Sequence, residues 1–227
     1  LQIKHRTLNQ SIAILLRSYA QAINKQENCI PGKIFEKARN LFYSVGVRNT
    51  TMDDLAKELG ISKKTLYKEI DNKADLVKFC VEYDLKCDEK AILDISENTE
   101  NAIEELLLIA AHIHAELQVF HPSIMQDLIK FYPESWAMIE QHRDIFAKKN
   151  ISNNLRKGIK QGLYRKDINV DMVTMLQLHL SFLPLQFDGK VHKPSDVYVE
   201  VLKYNFYAIA TPKGIELFEQ LIKKIKL

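Results

Sequence analysis

The sequence predicts an all-helical chain: a small helix-turn-helix region near the N-terminus and a larger helical region behind it. Three observations carry that prediction. Glycine and proline are scarce, at 7 and 6 in 227 residues; strands need turns, and turns draw heavily on those two residues. Apolar residues recur at helical spacing through most of the chain rather than alternating. Within Thr50 to Lys73, two short apolar stripes are each bracketed by helix start and stop signals.

Residues 1–30 form an extension ahead of the first predicted domain. Leu8, Ile12, Leu15, Leu16, Tyr19 and Ile23 make a helical stripe, and Lys4, Arg6, Arg17 and Lys25 against Glu27 give it much of the surplus positive charge. A secretory signal fits poorly, because the apolar core is short and Arg17 interrupts it. Two readings fit better: a frayed amphipathic extension, even one arising from upstream translation, and a basic arm that adds phosphate contacts. Ile30-Pro31-Gly32 is expected to separate this segment from residues 31–75.

In 31–75, Lys33 to Val45 reads as a helix with Ile34, Phe35, Ala38, Leu41 and Phe42 on its apolar face. Thr51 can cap the next helix by accepting from the backbone N–H of Asp53 or Asp54, and both aspartates sit where the helix dipole favours negative charge. Met52, Leu55, Ala56 and Leu59 form the inward face, and Gly60 ends it because a left-handed residue costs least as glycine. Ile61 plugs the turn. Ser62 caps a third helix in which Leu66 and Ile70 point inward, leaving Lys63, Lys64, Thr65, Tyr67 and Lys68 outward. Residues 61–68 hold three basic side chains and no acidic one. Lysines neutralise phosphates, and hydroxyls bond phosphate oxygens or bases, so this face suits the major groove of duplex DNA. A solvated helical hairpin is the plainer reading of the charge alone; the paired caps and turn glycine argue against it.

The segment from about Pro31 to Leu85 resembles the DNA-binding domain of TetR-type transcriptional regulators, over about a quarter of the chain. That pattern has a first helix ending in a phenylalanine-rich turn, then glycine, then threonine before the second helix. A tyrosine near the end of the third helix and a lysine opening the fourth complete it. Phe42, Gly46, Thr51, Gly60, Ser62, Thr65, Leu66, Tyr67 and Lys73 match. Lys64 stands where glycine is common, and Glu69-Ile70 where His-Phe is usual. Ile70 can still fill an apolar site, whereas Lys64 and Glu69 keep any relative's base preference from being carried over.

Asn72-Lys73 opens a long helix with Leu76, Val77, Cys80, Val81 and Leu85 inward. Lys73 opposes the dipole at that start, which a phosphate partner would explain. Residues 76–227 change character. A polar loop or frayed turn is expected over 96–100, then a strongly apolar helix from Asn101 to Phe120, apolar on more than one face and hence buried. Pro122 and Pro133 each start a helix, since a first-turn proline sacrifices no hydrogen bond. Further helices are expected over 151–161, 172–183, 194–210 and from Gly214 onward.

Phe120, Phe131, Tyr132 and Trp136 cluster around the two proline-initiated helices, and FYPESW is similar to a stretch in the regulatory region of many TetR-like proteins. They are the candidate lining of a small-molecule cavity, although aromatics at helical spacing also serve as plain core. Two late helices are apolar on more than one face. Met172, Leu176, Leu180 and Leu183 on one, and Leu202 and Phe206 on the other, are the candidate dimer contacts in a four-helix arrangement. The C-terminal helix or the extension covering that second face would instead leave a monomer.

Composition excludes several classes. No apolar run approaches the roughly 20 residues of a membrane helix. Cys29, Cys80 and Cys87 are odd in number and lack metal spacing, so they read as free thiols in a reducing compartment. A net charge of only +3 means that nucleic-acid binding must come from local patches. His112 and His114 lie about 200° apart on a helix and cannot share a metal; His112 and Glu116 can, but the sequence offers no third ligand. There is no G-x-S-x-G, no Gly-rich phosphate loop and no cysteine with an identifiable base, so no enzyme, metal or cofactor is expected. The resemblance implies a cytoplasmic homodimeric regulator, a repressor that binds a palindromic double-stranded DNA operator through Thr51, Ser62, Lys63, Lys64, Thr65, Tyr67, Lys68 and Lys73. It implies release by a small apolar or amphipathic effector. The alternatives are an effector-independent DNA-binding module acting through a protein partner, and a helical enzyme or lipid-binding protein.

Overall fold

Every regular element that the computed structural model describes, over residues 30–187 and 189–225, is helical. The extension expected over 1–30, its basic-arm reading and Cys29 lie outside the described residues, apart from position 30. Helix α1 spans Ile30–Val45, α2 Met52–Leu59, α3 Lys63–Glu69 and α4 Lys73–Asn98. They are followed by α5 Ala102–Val119, α6 Ile124–Phe131, α7 Pro133–His142, a π-helical turn Arg143–Ala147 and α8 Lys148–Lys160. Helix α9 Val170–Ser181, a 3-10 turn Leu183–Gln186, α10 Pro194–Ile209 and α11 Pro212–Ile225 complete the order. One isolated antiparallel bridge, Tyr164 to Ala210, ties the turn after α8 to the end of α10.

Four element boundaries differ from expectation. Ile30-Pro31-Gly32 is the first turn of α1 rather than a break, a position where proline's missing N–H has no helical partner to lose. The polar run 96–100 does not interrupt α4, which continues to Asn98 because Ile95 is buried against α5 and holds that last turn in place. Helix α6 begins at Ile124, with Pro122-Ser123 forming the turn before it. The expected separate helix over 151–161 is continuous with α7 through the π turn.

Two apolar cores result. The first joins Ile34, Phe42, Leu55, Leu66, Leu76 and Val77 of α1–α4 to Ile124 and Leu128 of α6. The first core therefore extends beyond residues 31–75. The second gathers Ile103, Leu107 and Leu108 of α5, Leu155 of α8, Tyr164, Leu202 and Phe206 of α10, and Phe218 of α11. Its polar fasteners are local: Asn154 donates to the Ala102 carbonyl at 2.9 Å, the Tyr164 hydroxyl donates to Asn154 at 3.0 Å, and Lys157 pairs with the buried Glu105 at 2.6 Å. Helix α4 belongs to both cores and runs across the expected boundary at residue 75.

Candidate functional site

The helix pair α2–α3 is built as its sequence dictates. The Thr51 hydroxyl accepts from the Asp54 N–H at 3.1 Å and the Asp54 carboxylate accepts from the Thr51 N–H at 2.9 Å, a reciprocal capping box. Hydrogen bonding to Thr51 holds the Asp54 carboxyl below its usual range. Gly60 takes φ +64°, the left-handed value its position requires. The Ser62 hydroxyl accepts from the Thr65 N–H at 3.1 Å, and Leu66 is wholly buried. Ser62, Lys63, Lys64, Thr65, Tyr67 and Lys68 are all exposed on α3, as is Thr51 on its own cap. They are not equivalent. Lys63 is paired with Asp53 at 2.5 Å, whose hydrogen bond raises the ammonium's pKa. Lys73 differs from expectation: its amine is half-buried and donates to the Arg48 carbonyl at 3.2 Å, and burial lowers its pKa.

That Arg48 carbonyl belongs to a clamp between the α1–α2 turn and α6. The Arg48 N–H donates to the buried Asp127 carboxylate at 3.0 Å, and the Ser123 hydroxyl donates to the same carboxylate at 3.2 Å. Gly46, at φ +91°, passes so close that a Cβ there would lie 2.5 Å from the Ser123 hydroxyl oxygen. The Arg48 guanidinium lies over the Phe131 ring at 5.1 Å.

Behind the clamp is a cavity of about 300 Å³, at the lower end of the roughly 300–1,000 Å³ common for small organic ligands. Helix α1 contributes Arg39, Phe42 and Tyr43, α4 a long stripe from Val77 to Ile92, and α5 His112, Ile113, Glu116 and Leu117. The π turn, the end of α9 and Tyr198 of α10 close the far side. Most of the wall is apolar. Most of its charged groups gather in one patch where α1, α4 and α5 meet, with His142 and Arg143 on the far side. Arg39 donates to Asp84 at 2.6 Å and stands 3.7 Å from Glu116, and its guanidinium covers the Tyr43 ring at 4.4 Å. His112 Nε2 is 2.9 Å from Asp88. Burial pushes the Asp84 carboxyl up to about 6 against the pull of Arg39. Burial, and then the neighbouring Asp88, push Glu116 up to about 7. For His112, burial alone would lower the pKa; the Asp88 hydrogen bond and charge outweigh it and raise the imidazole. Across the space, His142 Nε2 is enclosed and 3.6 Å from Glu89, and burial lowers its pKa.

The third ligand that the sequence did not offer is thus Asp88: one ligand atom each from Asp88, His112 and Glu116 lie within 4.8 Å of one another. Such a set can hold a metal, with the Arg39 charge beside it opposing a dication. Of the four aromatics expected to line a cavity, Phe120 does, meeting Tyr43 edge-on at 5.5 Å between ring centroids. Phe131, Tyr132 and Trp136 do not. Phe131 is exposed beneath Arg48, and Tyr132 and Trp136 pack on the core of α1–α4, because α6 and α7 turn that face toward the DNA-binding helices. Of the expected dimer contacts, Met172 and Leu176 are 59% and 56% exposed, and Leu180 and Leu183 are partly so. Leu202 and Phe206 are interior: Phe206 stacks on Phe218 with ring centroids 3.9 Å apart.

Residues 34–79 match the family model described as bacterial regulatory proteins, tetR family. That stretch, α1 to the first turns of α4, is similar to the corresponding region of TetR-family transcriptional regulators. Among curated relatives, the chain is 28% identical over 155 residues to the HTH-type transcriptional repressor KstR2 of Mycobacterium tuberculosis, covering 65% of this chain and 76% of that one. An HTH-type transcriptional regulator of Staphylococcus aureus is 43% identical over 53 residues, 23% of this chain and 29% of that one. Among solved structures, a TetR-family regulator from Agrobacterium tumefaciens has a TM-score of 0.66 at 15% identity, covering 79% of this chain and 96% of that one. These relatives are regulators, not enzymes, and no described helix is long and apolar enough to cross a membrane. The candidate site residues that sequence reasoning missed are Arg39, Asp84, Asp88 and Asp127. The only signal was the i, i+4 pair His112–Glu116, since three separate helices supply the rest.

Proposed function

We propose that the chain is a homodimeric repressor that binds a palindromic duplex operator through α2–α3 and is released by a small apolar or amphipathic effector in the cavity. One observation carries this reading: the cavity wall includes Arg39, Phe42 and Tyr43 of α1, the helix whose other face packs against the DNA reader. An occupant that favours a different α1 position changes the spacing of two recognition helices, so effector and operator oppose each other reciprocally. A solid interior would favour an effector-independent module; the cavity favours the sensor. The repressor sign follows the similarity to KstR2. Thr51, Ser62, Lys63, Lys64, Thr65, Tyr67 and Lys68 face the duplex, while Lys73 contributes by holding Arg48. Dimerisation uses the exposed apolar faces of α9 and α10.

The test begins with selection of bound duplexes from random DNA, followed by a compound screen for release. Ile113→Trp, which fills the cavity from α5, is expected to keep operator affinity and lose release. A variant that is released as readily as the parent would overturn the cavity as the effector site.

A further inference from the structure

We infer that the effector carries a cationic head, an ammonium or related group, which takes the place of Arg39 against the Asp84–Asp88–Glu116 carboxylates while its apolar body fills the remaining cavity. This rests on the cavity being the effector site. The charge inventory of the polar patch leads there. Three carboxylates converge from α4 and α5, against one guanidinium from α1 and one imidazole from α5. Even with His112 protonated, acids outnumber bases within this patch, and Arg143 across the cavity is already engaged by Asp144 at 2.7 Å; unbalanced charge in a partly desolvated wall is expensive. An anionic head would add to the surplus and a neutral one would leave it; an organic cation cancels it.

The alternative occupant of the same carboxylates is a metal ion at Asp88, His112 and Glu116. Two features favour the organic cation. Arg39 stands 3.7 Å from Glu116, where a second full charge would face a dication. A metal also leaves most of the cavity of about 300 Å³ empty. Beyond Ile113 and Tyr198 lies a second cavity of about 180 Å³ that shares Ile92, Ile113, Ala147, Ser181 and Tyr198 with the first, so a chain-like body has room to extend.

The regulatory consequence follows from where Arg39 sits. It is an internal cation that ties α1 to α4 at 2.6 Å and lies near α5. A ligand ammonium that engages Asp84 and Glu116 relieves α1 of that tie, and α1 holds the DNA reader. The groups facing Glu116 are Arg39 and Tyr43 of α1, Asp84 and Asp88 of α4 and His112 of its own helix, with His142 and Arg143 across the cavity.

The test uses the full chain and three C8 probes: octylamine, octanol and octanoate, titrated by calorimetry between pH 6 and 8. A primary amine, with a pKa near 10 as for lysine, stays charged throughout. Octylamine is expected to bind at least about ten-fold more tightly than octanol at pH 8, with octanoate weakest. The isosteric changes Glu116→Gln and Asp88→Asn should erase the preference for the amine, and Arg39→Gln should tighten amine binding while weakening operator binding without ligand. If octanol or octanoate binds the cavity as well as octylamine does, the cationic head is wrong and the cavity reading stands. Zinc chloride raising the melting temperature where octylamine does not also overturns the cationic head. If none of the three probes binds, both readings of the cavity fall. Arg39→Gln with unchanged operator affinity overturns the competition.

Discussion

At the scale of single residues, neighbouring side chains of like charge differ in what they can give to a partner. Lys63 is already neutralised by Asp53, whereas Lys64 and Lys68 have no ion pair among the described residues. Each phosphate contact contributes about 0.9 to the salt slope of DNA binding. Lys64→Ala or Lys68→Ala should therefore flatten the slope by about 0.9 for each bound protomer, and Lys63→Ala by less, in titrations across a salt series. Equal slopes for all three would remove the distinction. Glu116 makes a prediction on stability. A carboxyl whose folded pKa is raised from 4.5 to about 7 binds its proton more tightly in the native state. Its contribution is then fully present below about pH 4.5 and is lost as pH climbs through 7. Glu116→Gln should make the empty protein more stable at pH 8, by about 1–3 kcal/mol, and flatten the decline from pH 5 to 7. Urea midpoints at several pH values check both; a less stable variant at pH 8 would show that the charge is well compensated in the native state.

At the scale of elements, the clamp between the α1–α2 turn and α6 is the contact most sensitive to a small change. Gly46→Ala must adopt φ near +91° and bring its Cβ to 2.5 Å from the Ser123 hydroxyl oxygen. The expected loss is about 2–4 kcal/mol, the backbone accounting for about 1–2 of it. Ser123→Ala in the same background should restore the contact part and leave the backbone part, which a double-mutant cycle in urea separates. If Ser123→Ala restores nothing, the contact is not the source of strain. The clamp also shows what was legible in the sequence and what was not. Helices α2 and α3 could be read almost residue by residue, because caps, turn glycine and inward apolar positions are local signals acting over three or four residues. The end of α4 was misread because a polar run looks like a loop until Ile95 is seen buried against α5. Phe131, Tyr132 and Trp136 were misplaced for a related reason: spacing shows that they are near one another, not which of two cores they face. The cavity's polar wall was beyond reach, since Arg39, Asp84 and Glu116 are ordinary charged residues until three helices bring them together.

At the scale of the whole molecule, the proposed dimer must hold two readers at the roughly 34 Å repeat of paired half-sites. Helices α9 and α10 pack on one another and leave an apolar face outward: Met172, Met175 and Leu176 on the first, Tyr204 and Tyr207 on the second. Leu176 is 56% and Tyr204 73% exposed, so each helix offers large apolar side chains that a partner can cover. Leu202 and Phe206, on the inner side of α10, are committed to the stack with Phe218 and cannot reach a second copy. The sequence rightly found α10 apolar on two sides, but it could not say which side α11 covers; the structure places α11 against Phe206. Leu176→Glu combined with Tyr204→Glu should therefore leave the fold intact, since neither side chain supports the interior. It should yield a monomer by sedimentation, with operator affinity reduced by about 100-fold or more as one half-site is lost. Phe206→Glu is the contrasting variant: it buries a charge in a packed aromatic stack and should lower the urea midpoint sharply. A folded double variant that still sediments as a dimer would move the interface to another face, and a Phe206→Glu protein of normal stability but monomeric mass would reverse the assignment of the two sides of α10.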